Sequence, residues 1–521
     1  MVPRPAPQSP TLPLIPEFFA GEEVFITGAT GFMGKVLVER LLWTCPEVSR
    51  LHLLLRRKRD VLPEKRLIEL KQSHVFDVIR EHCPERLEKL SMVLGDITKP
   101  KFGMAEEGLQ QLNKVSVVFH SAATLKFDEH LACAVEQNLR SVLTIMDICD
   151  QLPMVFVYVS TAYSNAELNS IEERVYPAPG DIQQLLALCD NLPQHILTEV
   201  TPKLISPKPN TYTYTKAMAE SAVADRANIS RYATAIFRPT IVVSSLQHPF
   251  PGWIENLNGP SGPVVGAGKG LLHVLNCAGN KRADMMPVDI VIDTLIAIAW
   301  ETAIQDDRET RVYNCSSYEN PITWAEFQNS MLEGVRNHPF DSPLWYPSLI
   351  LIKNKLVLNL VEYMFQYVPL HLTDFVFTAF GKKQRVKMST ACSRLRAMNG
   401  ALEFFTMREW QFSTHNVTQL RNKLSAADNA VYNLDPRTIN WEDHSSNFVK
   451  GTRKYLLGES DQDLEKARSR MRILYVIHRA TQSLLIYLMC RLAIRSTPAI
   501  LQIISATLAL RKTSINLKYK K

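Results

Sequence analysis

The chain has 521 residues, 46% of them hydrophobic and 21% charged, a balance that argues against a disordered or fibrous protein and leaves room for two or three domains. Its nine cysteines are scattered, with no C-x-x-C pair and no histidine cluster at metal-ligand spacing, so they read as reduced, mostly buried thiols and not as a disulfide framework or zinc site. The net charge of +7 is uneven: residues 466–521 hold twelve Lys or Arg and no acid, which leaves the first 465 residues at −5. Because that basic tail is interleaved with apolar stretches, an anionic membrane surface suits it better than nucleic acid, and no nucleic-acid partner is expected.

Residues 1–16 carry six prolines and no charged-then-apolar signal pattern, and read as a flexible leader with the body left in the cytosol. The sequons at Asn228, Asn314 and Asn416 are then expected to stay unmodified. From about 22 to 160, short apolar runs alternate with helix-length amphipathic segments: EEVFIT (22–27), LHLLL (51–55), MVL (92–94), VSVVF (115–119) and VFVYV (155–159). That rhythm predicts an α/β fold, a Rossmann-like doubly wound parallel sheet. The runs ATAIF (233–237) and RVYN (311–314) continue the sheet past an insertion at 164–208, giving a dinucleotide-binding region over 17–320. The Gly/Pro-rich stretch 249–270 breaks regular structure and reads as a loop near the substrate.

Beyond 345 the long apolar runs predict a mainly helical domain over 345–457, followed by the basic apolar tail 466–521. Within the tail, Arg479, Arg491 and Arg495 leave uninterrupted apolar spans at 480–490 and 496–510, both short of the roughly 20 residues that cross a bilayer. A single crossing with snorkelling arginines, a helix pair dipping into one leaflet and a buried soluble helix all remain open.

TGATGFMGK (27–35) follows a strand and opens a helix, with Gly28, Gly31 and Gly34 in G-x-x-G-x-x-G spacing and Thr30 between them. Such a loop turns tightly, lets a pyrophosphate approach the backbone and presents free N–H groups. At the end of the second strand stand Arg56 and Arg57, where an NAD enzyme would place a carboxylate; a guanidinium suits a ribose 2′-phosphate, so NADPH is expected. Asp96 and Ile97 after the third strand, and Ser121 and Ala122 after the fourth, are placed to contact the cofactor. Tyr212-x-x-x-Lys216 is the chain's one Y-x-x-x-K; on a helix the pair shares a face, so the ammonium is expected beside the phenol, favouring its ionised form, with the phenol donating a proton to a carbonyl. Thr161, with Ser160 as the alternative, is the candidate hydroxyl for the developing oxyanion.

These residues resemble the extended short-chain dehydrogenase/reductases. The segments FHSAATLKFDE (119–129), VSTAY (159–163), PNTYTYTKAMAE (209–220), PGWIENLNGPSG (251–262), MPVD (286–289) and WEDHSSNFVKGTRKYLL (441–457) are similar to those of the alcohol-forming fatty acyl-CoA reductases in particular. The resemblance implies reduction of a long-chain acyl-CoA by two NADPH to a primary alcohol through an aldehyde, with Thr161, Tyr212 and Lys216 handling the carbonyl. It also implies membrane lipid as a partner of the tail and a catalytic body facing the cytosol, at the endoplasmic reticulum in preference to the peroxisome. Lys269 in GAGKG is a candidate contact for a CoA phosphate. Two other readings share the motifs: a membrane-bound sterol or hydroxysteroid dehydrogenase, which should use NAD, and a non-catalytic NADPH-binding scaffold.

Overall fold

The computed structural model describes residues 14–57, 61–151, 155–305, 309–379 and 388–518. Seven strands, β1 (Glu23–Thr27), β2 (Arg50–Leu55), β3 (Leu90–Leu94), β4 (Val115–His120), β5 (Val155–Val159), β6 (Ala233–Pro239) and β7 (Arg311–Cys315), form one sheet. All seven apolar runs read from the sequence form strands. Every pairing is parallel, in the order β7-β6-β5-β4-β1-β2-β3. Side chains alternate across the sheet: Val24 and Ile26 of β1 enter one core, Phe25 the other. The first core is closed by helices Phe32–Thr44 and Val288–Ile304, the second by Ser141–Cys149 and Thr211–Ala227. Strand order reverses between β1 and β4, so a crevice opens beyond their C-terminal ends, where such folds bind ligands.

Several segments depart from the sequence reading. The leader was expected to run to 16, but Leu14–Phe19 is a short helix docked by Ile15 and Phe19, which are buried, and by Asp428, whose carboxylate accepts from Leu14 N at 2.9 Å and Ile15 N at 3.2 Å; residues 1–13 lie outside the described residues. The expected loop 249–270 contains an eight-residue helix, Ser261–Gly268. Pro263 falls in its first turn, where no intrahelical N–H is needed. Gly268 is there because a Cβ would come within 2.4 Å of the Phe340 ring; tertiary packing outweighs the poor helix propensity. Asn314 and Asn416 spend their side-chain amides inside the fold, on Ile171 O, Ser413 O and Val312 O.

The C-terminal helices wrap back onto the sheet body. Gln411–Phe412 pairs with Ser170–Ile171 of the 164–208 insertion, and Val417, Leu420, Leu434 and Ile439 join the first core. A Cβ on Gly252 would lie 1.9 Å from Asn447 O, and one on Gly451 would lie 1.7 Å from Gly252 O. The segments 251–262 and 441–457 are thus pressed backbone to backbone, which only glycine permits. The tail is one continuous helix, Leu464–Lys518. Residues 464–497 contain no Gly or Pro, and arginine is a good helix former, so Arg479, Arg491 and Arg495 do not break it. By length and composition the segment Asp461–Arg491 can cross a membrane; Ala467 and Met471 near its start pack on the body, whereas Leu484 to Met489 are exposed, unlike a buried soluble helix.

Candidate active site

The turn after β1 is built as the glycine spacing requires. Gly28 sits at φ +78°, and a Cβ there would meet Ala122 N at 2.8 Å. Gly34 packs the helix on the turn: a Cβ would lie 2.2 Å from Gly28 O. Helix Phe32–Thr44 starts after Gly31, and its first intrahelical bond is Lys35 N to Gly31 O at 2.9 Å. The N–H groups of residues 32–34 therefore have no partner within the helix and face the crevice, a cradle for an anion. The opposite wall, Ser121–Ala123, is held by a buried relay. Ala122 N donates to Thr27 Oγ1 (3.2 Å), which is 2.9 Å from His120 Nδ1, and His120 Nε2 is 3.3 Å from Ser141 Oγ. Burial, with Lys216 nearby, pushes His120 down to about 3, so it stays neutral and the relay is satisfied when Thr27 donates to Nδ1 and Nε2–H donates to Ser141.

At the end of β2 the structure brings together Arg56, Thr30, Asp96 and Ile97, all lining the cavity. Asp96 turns its carboxylate back on Thr98 N and Oγ1 at 3.0 and 2.9 Å. Arg57 is exposed and does not line the cavity. Arg66, which the sequence reading did not single out, does line it. Arg66, from helix Pro63–Lys71, donates to Arg56 O at 2.6 Å and to Thr30 Oγ1 at 3.1 Å. The arginine lies one helix beyond the strand end, and nothing in its local sequence marks it.

Tyr212 stands in the first turn of Thr211–Ala227, which is capped by Asn210 Oδ1 accepting from Thr213 N at 2.9 Å. Its ring packs on Phe127 at 5.9 Å, and the Thr161 hydroxyl, which accepts from Tyr163 N at 3.3 Å, lines the same cavity. Burial pushes the phenol up to about 12, with the nearby Thr161 hydroxyl opposing the push. Lys216 does not do what the spacing suggests: its Nζ donates to Val159 O at 2.7 Å and lies 4.7 Å from the centre of the Tyr158 ring. Its ammonium is aimed at the end of β5, and Tyr212 is raised, not lowered. Burial pushes Lys216 itself down to about 7, partly offset by Glu220. Ser160 is committed elsewhere. Its Oγ donates to Glu220 Oε1 at 2.5 Å, and Glu220 is paired with the fully buried Arg238 at 2.6 Å. Of the two hydroxyls, Thr161 is the one beside the phenol.

One cavity of about 1210 Å³ spans the glycine turn, Thr161 and Tyr212, the loop 256–260 and two helices. Trp324–Asn337 contributes Trp324, Phe327 and Met331, and Met388–Thr406 contributes Ala397, Ala401 and Phe405. Cys277 also lines it, but burial pushes that thiol up to about 12, so it is no thiolate nucleophile at neutral pH. Lys269 is corrected: it does not line the cavity, and its Nζ is held by Glu459 Oε1 at 2.6 Å and Asp341 O at 2.7 Å.

A parallel sheet carrying this glycine turn at its switch point is the frame of a nicotinamide-dependent reductase. Two family models, each described as "Male sterility protein", match residues 26–295 and 365–459. The chain is 36% identical over 484 residues to fatty acyl-CoA reductase 1 of Gallus gallus and 35% identical to that of Homo sapiens, in each case covering 92% of this chain and 93% of the relative. It is 35% identical over 485 residues to fatty acyl-CoA reductase 2 of Bos taurus. The chain belongs to the fatty acyl-CoA reductase family of oxidoreductases. The fold is shared with the reductase domain of a Mycobacterium tuberculosis nonribosomal peptide synthetase (TM-score 0.56, 17% identity, 86% of this chain and 94% of that one). It is shared too with the terminal reductase domain of the myxalamid pathway (TM-score 0.55, 16% identity, 85% and 93%).

Proposed function

We propose that the protein reduces a long-chain acyl-CoA to the primary alcohol with two NADPH, releasing CoA, while its C-terminal helix holds it to a membrane. The observation that carries this reading is the continuous cavity, lined by the glycine turn, by Thr161 and Tyr212, and by apolar side chains of the C-terminal half. An anion cradle, a protonated phenol and an aliphatic chamber in sequence suit one ligand at each end of a carbonyl reduction.

The cofactor, when bound, supplies the hydride of each step. Thr161 and Tyr212 bracket the carbonyl oxygen, and Tyr212 gives that oxygen its proton as the carbon is reduced. With a thioester the adduct expels CoA as the thiol and leaves an aldehyde; the same two residues then serve the aldehyde, and the second reduction gives the alcohol. The balance is one acyl-CoA, two NADPH and two protons to one alcohol, one CoA and two NADP⁺. A raised phenol suits this role because it is protonated at neutral pH. Lys216, which donates to Val159 O at the strand end, would help to hold the nicotinamide ribose when the cofactor is bound. The test is product analysis: purified protein with palmitoyl-CoA should oxidise two NADPH per alcohol and free one CoA, whereas aldehyde as the sole end product would overturn the four-electron reading.

NADPH is favoured over NADH because two guanidiniums stand at the glycine-turn end of the cavity, Arg66 on Thr30 Oγ1 and Arg56 at 3.8 Å from Asp96 Oδ2. Each charge-assisted contact to a phosphate contributes on the order of 2 kcal/mol. The Arg56→Ala/Arg66→Ala double variant is therefore expected to raise the KM for NADPH about a hundredfold or more and leave that for NADH nearly unchanged. Equal losses with both cofactors would reject the assignment.

A further inference from the structure

The helical run that begins at Lys355 is patterned inside out. Lys355–Glu362 continues through Tyr363–Tyr367 into Val368–Ala379. Inward-facing residues recur every fourth position, Leu358, Glu362, Gln366 and Leu370, all buried, and two of the four are polar. Gln366 Oε1 accepts from His273 N at 3.2 Å, and the neighbouring Arg396 guanidinium lies 5.5 Å from the centre of the Tyr367 ring. The outward face carries Leu356 (82% exposed), Leu360 (64%), Tyr363, Met364 and Phe375 (70%). Between 356 and 379 the charged residues are Glu362, which is buried, and Asp374, which accepts from Ser389 N at 2.8 Å. A helix that faces water shows the opposite order, apolar inward and charged outward.

The surroundings identify what covers this face. Ten residues upstream, the chain meets the base of the C-terminal helix: Trp345 Nε1 donates to His478 Nδ1 at 2.9 Å, and the rings of Tyr346 and Tyr475 lie 5.2 Å apart. Arg336 sits over Tyr346 and, with Arg468 and Arg472 nearer the start of the helix, lines a cationic cleft. Aromatic and basic side chains gathered along the base of an apolar helix are the composition of a membrane–water boundary. Past that level the C-terminal helix exposes Leu484 to Met489 in an unbroken run. We propose that the outer face of 355–379 is a second membrane-contacting surface, seated in the leaflet that receives the base of the C-terminal helix; this rests on the membrane attachment proposed above. The helix packed against it, Met388–Thr406, supplies Ala397, Ala401 and Phe405 to the cavity. One helix thus separates the chamber for the aliphatic chain from lipid, a short path for a product that partitions into the bilayer.

The test uses the full chain with the two exposed thiols removed (Cys133→Ser, Cys490→Ser) and a spin label at Leu360→Cys, at Met364→Cys or, as the water-facing reference, at Ile229→Cys, which is 79% exposed on the body. Each labelled protein is mixed with phosphatidylcholine–phosphatidylserine vesicles, sedimented and probed with oxygen and a water-soluble nickel chelate. The labels at 360 and 364 are expected to collide several-fold more with oxygen and several-fold less with nickel than the label at 229. Nickel access equal to that at 229 in sedimenting protein overturns the inference and leaves tail attachment standing. Shielding from both reagents identifies a second protein copy on this face and also overturns it. Failure to sediment overturns the attachment and the inference together. Alcohol formation by each labelled variant reports its fold, and either of the two sites suffices.

Discussion

Tyr212→Phe is expected to lower kcat for alcohol formation roughly a thousandfold, within the range that a positioned general acid contributes, while the protein folds and binds NADPH as before. The substitution removes one oxygen and keeps the ring against Phe127, so no cavity opens. The phenol and the Thr161 hydroxyl both line the cavity, and Thr161 is close enough to counter the upward push on the phenol. Thr161→Ala should act in two ways: it removes a donor to the developing oxyanion, and it removes the hydroxyl that opposes the upward push on Tyr212, making the phenol a weaker acid. Its expected loss is about a hundredfold. Because the two groups serve one oxygen, the double variant should fall far short of the product of the single losses. Steady-state kinetics with palmitoyl-CoA and with the matching aldehyde measure both steps separately. Full alcohol production by Tyr212→Phe would remove Tyr212 from the chemistry; equal losses on thioester and aldehyde support one proton donor for both.

The sheet and the cofactor turn were legible because their signals are local. A buried parallel strand is a short continuous apolar run, and G-x-x-G-x-x-G between a strand and a helix leaves little else for the backbone to do. The Tyr212/Lys216 spacing was equally local, and it found the pair but not the direction of the lysine. Lys216 is drawn to the free carbonyl of Val159, a partner fixed only once β5 and the helix are packed. Ser160 and Thr161 are indistinguishable as an S-T pair; what separates them is Arg238, fully buried behind Glu220, which claims Ser160 across 60 residues of chain. Arg66 and Lys269 show the same limit from both sides. A surface-looking arginine turned into the crevice, while a lysine in a glycine-rich motif was already engaged by Glu459. The chamber wall went unread, although Trp324, Phe327, Met331 and Val335 recur at helical spacing. An apolar stripe facing a cavity is the same in sequence as one facing a packed core.

Gly34→Ala and Gly31→Ala should part company, and the contrast tests the cofactor turn itself. At Gly34 a Cβ would stand 2.2 Å from Gly28 O and 2.8 Å from Ala29 Cα. Both are backbone atoms, so the clash is relieved only by moving helix Phe32–Thr44 away from the turn by about 1 Å, an overpacking that costs on the order of 1–3 kcal/mol. The N–H groups of residues 32–34 move with the helix. A shift of that size at a site of fixed geometry weakens function about a hundredfold, so this variant should lose thermal stability and NADPH affinity together. Gly31 has φ −79° and its Cβ would meet only Gly28 O, at 3.2 Å, a conformation that alanine adopts freely. Its methyl would instead enter the cavity where a pyrophosphate must approach, because Gly31 lines it. Gly31→Ala should therefore keep the unfolding temperature of the parent without cofactor and lose the upward shift that NADPH confers on the parent by binding the folded state. Thermal unfolding with and without NADPH, together with a titration of cofactor binding, separates the two effects. Parent-like stability and affinity in Gly34→Ala would mean that the helix does not rest on the turn, and the anion cradle would lose its support.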